Sequence, residues 1–410
     1  MIKAIKVRIY PTQEQMIHLN QSFGSSRWVY NTLLEKQKDS YNEEKRKLNM
    51  SELGKHLTAL KPQYPWLANV SAGMLQQSML NLNQGYSNFF KNMKHFSLPV
   101  FKSKHSKQSI KFPKFNIRKC KGNRINLTKK LENIHFKCSK KDEKYLNKNF
   151  DLIKSVTISK NKSGKHFASF LVERPNLKQL PTSNYIIGLD LGIKDFIIAS
   201  DGTSFKNIKS NRSNKNKLKT LHQSLSRKKK GSNNKNKARI KLAKFNEKIN
   251  NKKEFYLHSI VNQLLNENQV IAIEDLNVKG MMKNHNLAKS IQELSINRFI
   301  SILKYKAKWY GRKVEKVDRF FPSSKLCSSC SSVNKSLTLK DREWKCGPCG
   351  TTHDRDLNAA INIEQEAKRK IGLNSPELTL QESSKILRSL NEEKNVSMKS
   401  YINFHSITEL

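Results

Sequence analysis

Three acids in this chain stand where strands and a helix would hold them. Asp190 closes the run Ile186-Ile187-Gly188-Leu189-Asp190, and Glu274 ends Val270-Ile271-Ala272-Ile273-Glu274. Asp356 opens a helix at His353-Asp354-Arg355-Asp356-Leu357-Asn358-Ala359-Ala360. The apolar neighbours of each acid would fix its backbone in a sheet or against one. Carboxylates at strand ends and a helix start can converge on Mg²⁺, a hard cation that prefers oxygen ligands. Two such ions about 3.5–4 Å apart activate water and stabilise the leaving oxygen in phosphodiester cleavage. Taken singly, each acid reads as well as a solvated strand-end or capping residue; all three in order within a basic chain point to the metal site. Asp354 is the rival of Asp356 and reads as a first-turn charge favoured by the helix dipole. Asp195, Asp201 and Asp275 read as turn residues.

Four cysteines carry a second chemistry. Cys327-Ser-Ser-Cys330 and Cys346-Gly-Pro-Cys349 are separated by fifteen residues, the spacing of a zinc ribbon in which two knuckles give four thiolates to one tetrahedral Zn²⁺. Because all four ligands come from the protein, the zinc is structural. It would supply folding energy to residues 323–350, a stretch with no evident room for a core. Cys120 and Cys138 have no partner spacing and read as small buried hydrophobes.

The elements that must position these residues are legible as patterns. Ile2, Ile5, Val7 and Ile9 alternate with charges before Pro11, a strand, and Thr12 with Gln15 forms a capping-box pattern opening a helix through Leu33. Helical periodicity returns from Ser71 to Met93. Short alternating stretches at 110–112, 125–127, 134–136, 156–158 and 166–172, separated by Gly, Asn and Lys, read as a small β-barrel. Residues 175–183 read as a linker. Beyond it come a strand at 185–190 with a hairpin partner at 196–199, basic helices over 211–268, a strand at 270–274, a helix over 290–311, a strand at 314–317 and a helix from Asp354 to Lys370.

Charge narrows the partner. The 410 residues contain 78 Lys plus Arg against 33 Asp plus Glu, a formal net charge of +45. Self-repulsion on that scale disfavours an ordinary metabolic enzyme unless a polyanion neutralises it, so nucleic acid is the expected partner. No apolar run approaches the roughly 18–20 residues of a membrane-spanning helix, and Met1–Tyr10 lacks the apolar core of a signal peptide. The chain is therefore expected in the cytoplasm, associated with the nucleoid, and neither secreted nor membrane-bound. Residues 206–253 hold 18 basic residues and one acid. Within them Arg227, Lys228, Lys229 and Lys230 are candidate phosphate contacts, which give affinity without sequence information. On the Ser71–Met93 helix, Gln76 and Gln77 are polar beside Leu75 and Leu80, and a Gln amide can pair bidentately with an adenine edge; as solvated helix residues they would do nothing. Tyr86, Phe89 and Phe90 read as core.

The strings Gly188-Leu-Asp-Leu-Gly192, Ile273-Glu-Asp-Leu276, Ser323-Ser-Lys-Leu-Cys-Ser-Ser-Cys330 and Trp344-Lys-Cys-Gly-Pro-Cys-Gly-Thr-Thr-His-Asp-Arg-Asp-Leu-Asn-Ala-Ala-Ile-Asn362 resemble the TnpB (OrfB) proteins of bacterial insertion sequences, compact relatives of type V CRISPR effectors. Met1–Asn31 is similar to that family as well, and the likeness covers about residues 1–370. Ser331 departs from it, since many relatives carry Gly there. The resemblance implies an α+β multidomain chain: a wedge β-barrel from 1–11 and 96–180, a helical recognition domain at 12–95, and a RuvC-like RNase H-fold nuclease from 181–322 and 351–370. A zinc ribbon is inserted at 323–350, and 371–410 forms a weakly ordered tail. It implies Asp190, Glu274 and Asp356 as catalytic Mg²⁺ ligands, and one chain bound to one guide RNA from the transposon end. The complex would cut matching double-stranded DNA beside a short adjacent motif. The alternatives are a nuclease-dead RNA-guided DNA-binding repressor, which intact acids disfavour, and a DNA transposase performing strand transfer. A zinc-ribbon binding module without catalysis would leave the acids unexplained.

Overall fold

The computed structural model describes residues 1–373 except 176, 178, 208–213 and 339. The expected tail from residue 374 onward, and the side chain of Cys120, lie outside the described residues. The chain divides at Pro175, inside the expected linker, into two compact units. No described helix is long and apolar enough to cross a membrane.

The first unit is built on an antiparallel seven-stranded sheet. Its strands are β1 (Ile2–Tyr10), β2 (Gln108–Pro113), β3 (Arg118–Lys121), β4 (Arg124–Asn126), β5 (Ile134–Lys137), β6 (Ile153–Lys160) and β7 (His166–Glu173), in the order β2-β6-β7-β1-β5-β4-β3. Strand β1 buries Ile5, Val7 and Ile9 and exposes the charges between them, as a half-buried strand must. The helix Gln13–Glu44 follows, and its capping box is formed: the Gln15 amide donates to Thr12 Oγ1 at 3.3 Å and the Thr12 amide donates to Gln15 Oε1 at 2.9 Å. Leu19, Phe23, Leu33 and Leu34 of that helix share one apolar core with the sheet and with Met74, Leu75 and Leu82 of helix Ala72–Lys91. Cys138 packs at its margin. Tyr86 is buried in this core, whereas Phe90 is exposed. Two helices not evident from periodicity, Met50–Gln63 and Lys140–Lys148, complete the unit.

The second unit holds a five-stranded sheet of β8 (Ile186–Asp190), β9 (Asp195–Ala199), β10 (Ser204–Lys206), β11 (Val270–Glu274) and β12 (Lys313–Val317), ordered β10-β9-β8-β11-β12. Strands β8, β11 and β12 are parallel, and β9 runs antiparallel to β8. Asp195 therefore begins a strand and is not a turn residue. Helices Lys215–Ser226 and Asn233–Glu267 form the basic segment. One sheet face, with Ile187, Leu189, Ile271 and Ile273, packs against Asn233–Glu267 and against helices His285–Leu294 and Ile296–Tyr310. The other face carries the small residues Gly188 and Ala272, which are register partners. Helix Arg355–Lys370 lies there, with Ile363 and Ala367 packed on Ala272 and Val317. A lone glycine in a strand marks a close backbone approach, and this one is extreme. A Cβ at residue 188 would stand 2.1 Å from the Ala360 carbonyl oxygen and 2.6 Å from the Glu364 amide.

The ribbon contains strands β13 (Glu343–Lys345) and β14 (Thr352–Asp354), paired antiparallel. It has a small core after all: Leu337 and Trp344 are buried with Cys327 and Cys346.

Gly188→Ala should lower the free energy of unfolding by about 1–3 kcal/mol, the range for overpacking, because the obstacle is backbone that cannot rotate away. Gly24→Ala is the control: its Cβ would meet nothing within 4 Å, so a mid-helix alanine there should stabilise by about 0.5–1 kcal/mol. Denaturant titration of the two variants checks the contrast.

A candidate nuclease centre beside a four-cysteine cluster

Side chains alternate along a strand, so Asp190 shares a face with Gly188, and Glu274 shares a face with Ala272. Both acids thus project on the side covered by helix Arg355–Lys370, two residues toward the strand ends. In the helix, Asp356 precedes Ala360 by about one turn. Two strand residues span about 6.6 Å and four helical residues about 6 Å. The contact of Ala360 with Gly188 therefore brings Asp356 to the level of Asp190. Asp354 is the N-cap of this helix, its Oδ1 accepting from the amides of Asp356 at 3.0 Å and Leu357 at 2.9 Å. Asp354 is thus turned to its own helix, and Asp356 is the acid of this helix start whose charge acts on Asp190.

Electrostatics records the meeting. The Asp190 carboxyl is pushed up to about 7, first by burial and then by the charges of Glu274 and Asp356, with Arg355 and the Leu191 amide working the other way. Two arginines hold Asp356. Arg355 donates to its Oδ1 from Nε at 3.1 Å and Nη2 at 3.0 Å, and Arg342 Nη1 donates to Oδ2 at 3.1 Å. Ser323 donates its hydroxyl to Glu274 Oε1. Neighbouring Asp275 belongs elsewhere, paired with Lys316 and Arg319, which hold its carboxyl below the usual range. Asp201 caps a turn by accepting from the Thr203 amide.

The four expected cysteines do come together, their Sγ atoms all lying within 4.8 Å of one another; they are the one such group of potential ligands among the described residues. Cys327 lies 3.6 Å from Cys349, and Cys330 lies 3.6 Å from Cys346. A tetrahedron with metal–sulfur bonds of about 2.3 Å has edges of roughly 3.8 Å, so the cluster fits one zinc ion. Thr351 pulls the Cys349 thiol down to about 6, whereas burial pushes the Cys327 thiol up to about 11, so the exposed thiol is the readier thiolate of the two. His353, packed on Trp344, has Nε2 3.0 Å from Cys327 Sγ. Ser331, the departure from the family pattern, adopts φ +61°, the left-handed region where glycine is unstrained.

Sequence reasoning missed the joint between ribbon and helix. Asn358 Nδ2 donates to the Leu326 carbonyl at 2.7 Å, while its Oδ1 accepts from the Ser328 amide at 3.0 Å. One turn on, fully buried Asn362 donates to the carbonyls of Ser323 at 2.7 Å and Leu326 at 2.6 Å. Two asparagines at i and i+4 on an otherwise apolar helix face were the available signal.

The remaining candidates are dispersed. Gln76 is exposed and Gln77 half-buried on helix Ala72–Lys91. Arg227, Lys228, Lys229 and Lys230 are all exposed between the two basic helices, which pack together with Leu221 and Leu242 buried. Lys217 lies over the Phe245 ring at 5.1 Å.

Comparison with known proteins agrees with this layout. Residues 169–285 match the family described as "Probable transposase", 297–363 match "Cas12f1-like, TNB domain", and 1–46 match a "Helix-turn-helix domain". In the structure that last region is β1 and one long helix. A protein of Streptomyces pristinaespiralis named "Putative RNA-guided DNA endonuclease" is 35% identical over 364 residues, covering 88% of each chain. InsQ of Escherichia coli K12, given the same description, is 27% identical over 88% of this chain and 91% of its own. Among solved structures, the Cas12f1 chain of an sgRNA–target DNA complex superposes with a TM-score of 0.57 at 16% identity, covering 89% of this chain and 98% of that one, a likeness of fold. With identity of this extent running nearly end to end, and the matched regions following one another in the order of strand, acids and ribbon, the chain belongs to the TnpB (OrfB) family.

Proposed function

We propose that the protein is an RNA-guided endonuclease. It would bind a guide RNA from the transposon end and cut complementary double-stranded DNA next to a short adjacent motif by metal-dependent phosphodiester hydrolysis. The observation that carries this reading is the meeting of Asp190, Glu274 and Asp356 from two parallel strands and a helix start, where burial and the two neighbouring charges together lift the Asp190 carboxyl to about 7. We read the five-stranded sheet with its covering helices as a RuvC-like RNase H fold, and the first unit as wedge barrel (1–11, 96–180) and helical recognition domain (12–95). The RuvC portions are 181–322 and 351–370, the ribbon 323–350, and 371–410 a tail. Strand transfer by a transposase and a nuclease-dead repressor are not favoured, since relatives of this length are named for guided cleavage and all three acids are retained.

The donor set suits Mg²⁺: carboxylate oxygens only, gathered at the C-terminal ends of two neighbouring inner strands and at a helix start. Two ions held by Asp190, Glu274 and Asp356 would activate water and stabilise the leaving oxygen. The chain's own residues do the rest. Arg355 and Arg342 orient Asp356, Ser323 orients Glu274, and exposed Arg227, Lys228, Lys229 and Lys230 take phosphates. A basic channel would hold the heteroduplex by its backbone while base pairing reads the sequence. Gln76, exposed, and Gln77 are proposed to reach the adjacent motif. One zinc bound by Cys327, Cys330, Cys346 and Cys349 would be structural, and one chain would act with one RNA.

The direct test is to purify the chain with RNA from its native locus, sequence that RNA, and supply DNA matching its guide. Guided cuts are expected, and Asp190→Ala, Glu274→Ala or Asp356→Ala should each abolish them while leaving DNA binding within a few-fold of wild type. Asp354→Ala should cost about 1 kcal/mol of helix stability and retain cleavage; the reverse pattern would reassign the third acid. For the ribbon, elemental analysis should find one zinc per chain, and Cys346→Ser should lower zinc content and protease resistance of residues 323–350.

The crowding at Asp190 also has a stability consequence. A carboxyl whose folded pKa is raised to about 7 binds its proton more tightly in the folded state. Chelator-treated protein therefore loses stability as pH climbs from the ordinary carboxylate value to about 7, and the penalty is complete above that. Asp190→Asn should then be more stable than wild type at pH 8 by a few kcal/mol at most, each pKa unit being worth about 1.4 kcal/mol. The two proteins should converge near pH 4. Equal melting temperatures at both pH values would contradict the raised pKa of Asp190.

A further inference from the structure

We propose that Ser323 is a positioning residue for the nuclease reaction, its hydroxyl fixing one oxygen of Glu274 so that the other is presented to the catalytic cation. This rests on reading Asp190, Glu274 and Asp356 as one metal site.

Glu274 differs from its two companions. Asp190 is short and starts from a strand held between β9 and β11, and Asp356 is gripped by two arginines. Glu274 has one more rotatable bond, ends its strand, and lies near the like charge of Asp190, which would drive it outward. The bond that opposes this is donated by Ser323 to Oε1, and an O–H to carboxylate bond is of the strong, charge-assisted kind. Oε2 makes no hydrogen bond among the described residues.

The hydroxyl is itself held. Ser323 is only 6% exposed, its amide donates to the Phe321 carbonyl at 2.8 Å, and its carbonyl accepts from Asn362 Nδ2 at 2.7 Å. Asn362 lies on the helix that begins with Asp356. One rigid element thus sets the third acid directly and the second acid through Asn362 and Ser323. Partners of metal-binding carboxylates that act in this way typically change metal affinity or activity by about 10–100-fold when removed.

The rival account is that Ser323 merely ties the ribbon to the sheet. The two are separated by comparing Ser323→Ala and Ser323→Thr in the full chain with its copurified RNA. The probe is Fe²⁺ with ascorbate, which breaks the polypeptide beside the sites the ion occupies and requires no nuclease activity. Wild type should be cut near residues 190, 274 and 356. Ser323→Ala should need about tenfold or more Fe²⁺ for half-maximal scission and a similarly raised Mg²⁺ midpoint for DNA cleavage, with zinc content and melting temperature unchanged. Ser323→Thr, which keeps the hydroxyl, should return both midpoints toward wild type. Unchanged midpoints in Ser323→Ala would overturn the proposal, as would scission absent from wild type. Zinc loss or a lowered melting temperature that accompanies the shift would assign Ser323 to ribbon docking instead. Wild type that shows the Fe²⁺ pattern yet fails to cut guide-matched DNA would count against guided cleavage and leave the role of Ser323 standing.

Discussion

Helix Arg355–Lys370 can reach the sheet only because residue 188 has no side chain, and nearly everything else in the second unit follows from that approach. With the Ala360 carbonyl where a Cβ at residue 188 would be, helix and strand lie at backbone contact, and the pairing of Gly188 with Ala272 makes a shallow floor across two strands. The repeat distances of strand and helix are nearly equal over one helical turn, so the contact fixes Asp356 beside Asp190 without a dedicated link between them. Interior residues with no chemistry of their own thereby set the spacing of residues that have it. The apolar contacts of Ile363 and Ala367 with Ala272 and Val317 hold the helix down once it is there.

The same helix serves as the ribbon's anchor. Its Asn358 and Asn362 take up carbonyls of the first knuckle, buried polar bonds that specify one docking geometry where apolar packing would accept several. The ribbon returns the favour through Arg342, which reaches Asp356. The four-cysteine cluster and the placement of Asp356 are therefore joined through one helix and Arg342.

The sequence made the elements legible and left the joints obscure. Strand β1, the capping box at Thr12, the hairpin of β8 and β9, and the two cysteine knuckles follow from patterns only a few residues long, and local physics decides such patterns. Helix Lys140–Lys148 and strand β3 escaped because they are short and highly charged. Their stability comes from neighbours far away in the chain: Tyr145 donates to the Glu173 carbonyl and Asn147 to that of Gly122. In the site, the acids announced themselves by type and order. Arg342, Arg355, Ser323 and the asparagines did not, since a serine or an arginine in a polar stretch looks like any solvated residue until the fold shows what it faces. Gly188 was visible all along as a glycine inside an apolar strand, yet what pressed upon it lay more than 170 positions away.

That separation gives the protein an order of events. During synthesis at about 5–20 residues per second, the first unit and the long basic helices leave the ribosome well before the ribbon and the helix that completes the sheet. On the proposed reading, a growing chain would thus present its basic helices while the candidate centre still lacks one of three acids. Because the element that supplies Asp356 is also the one that locks the ribbon, the centre would be assembled in a single late step. On the proposed reading, a chain ending anywhere between residues 275 and 355 would carry the basic helices and lack the third acid of the candidate centre.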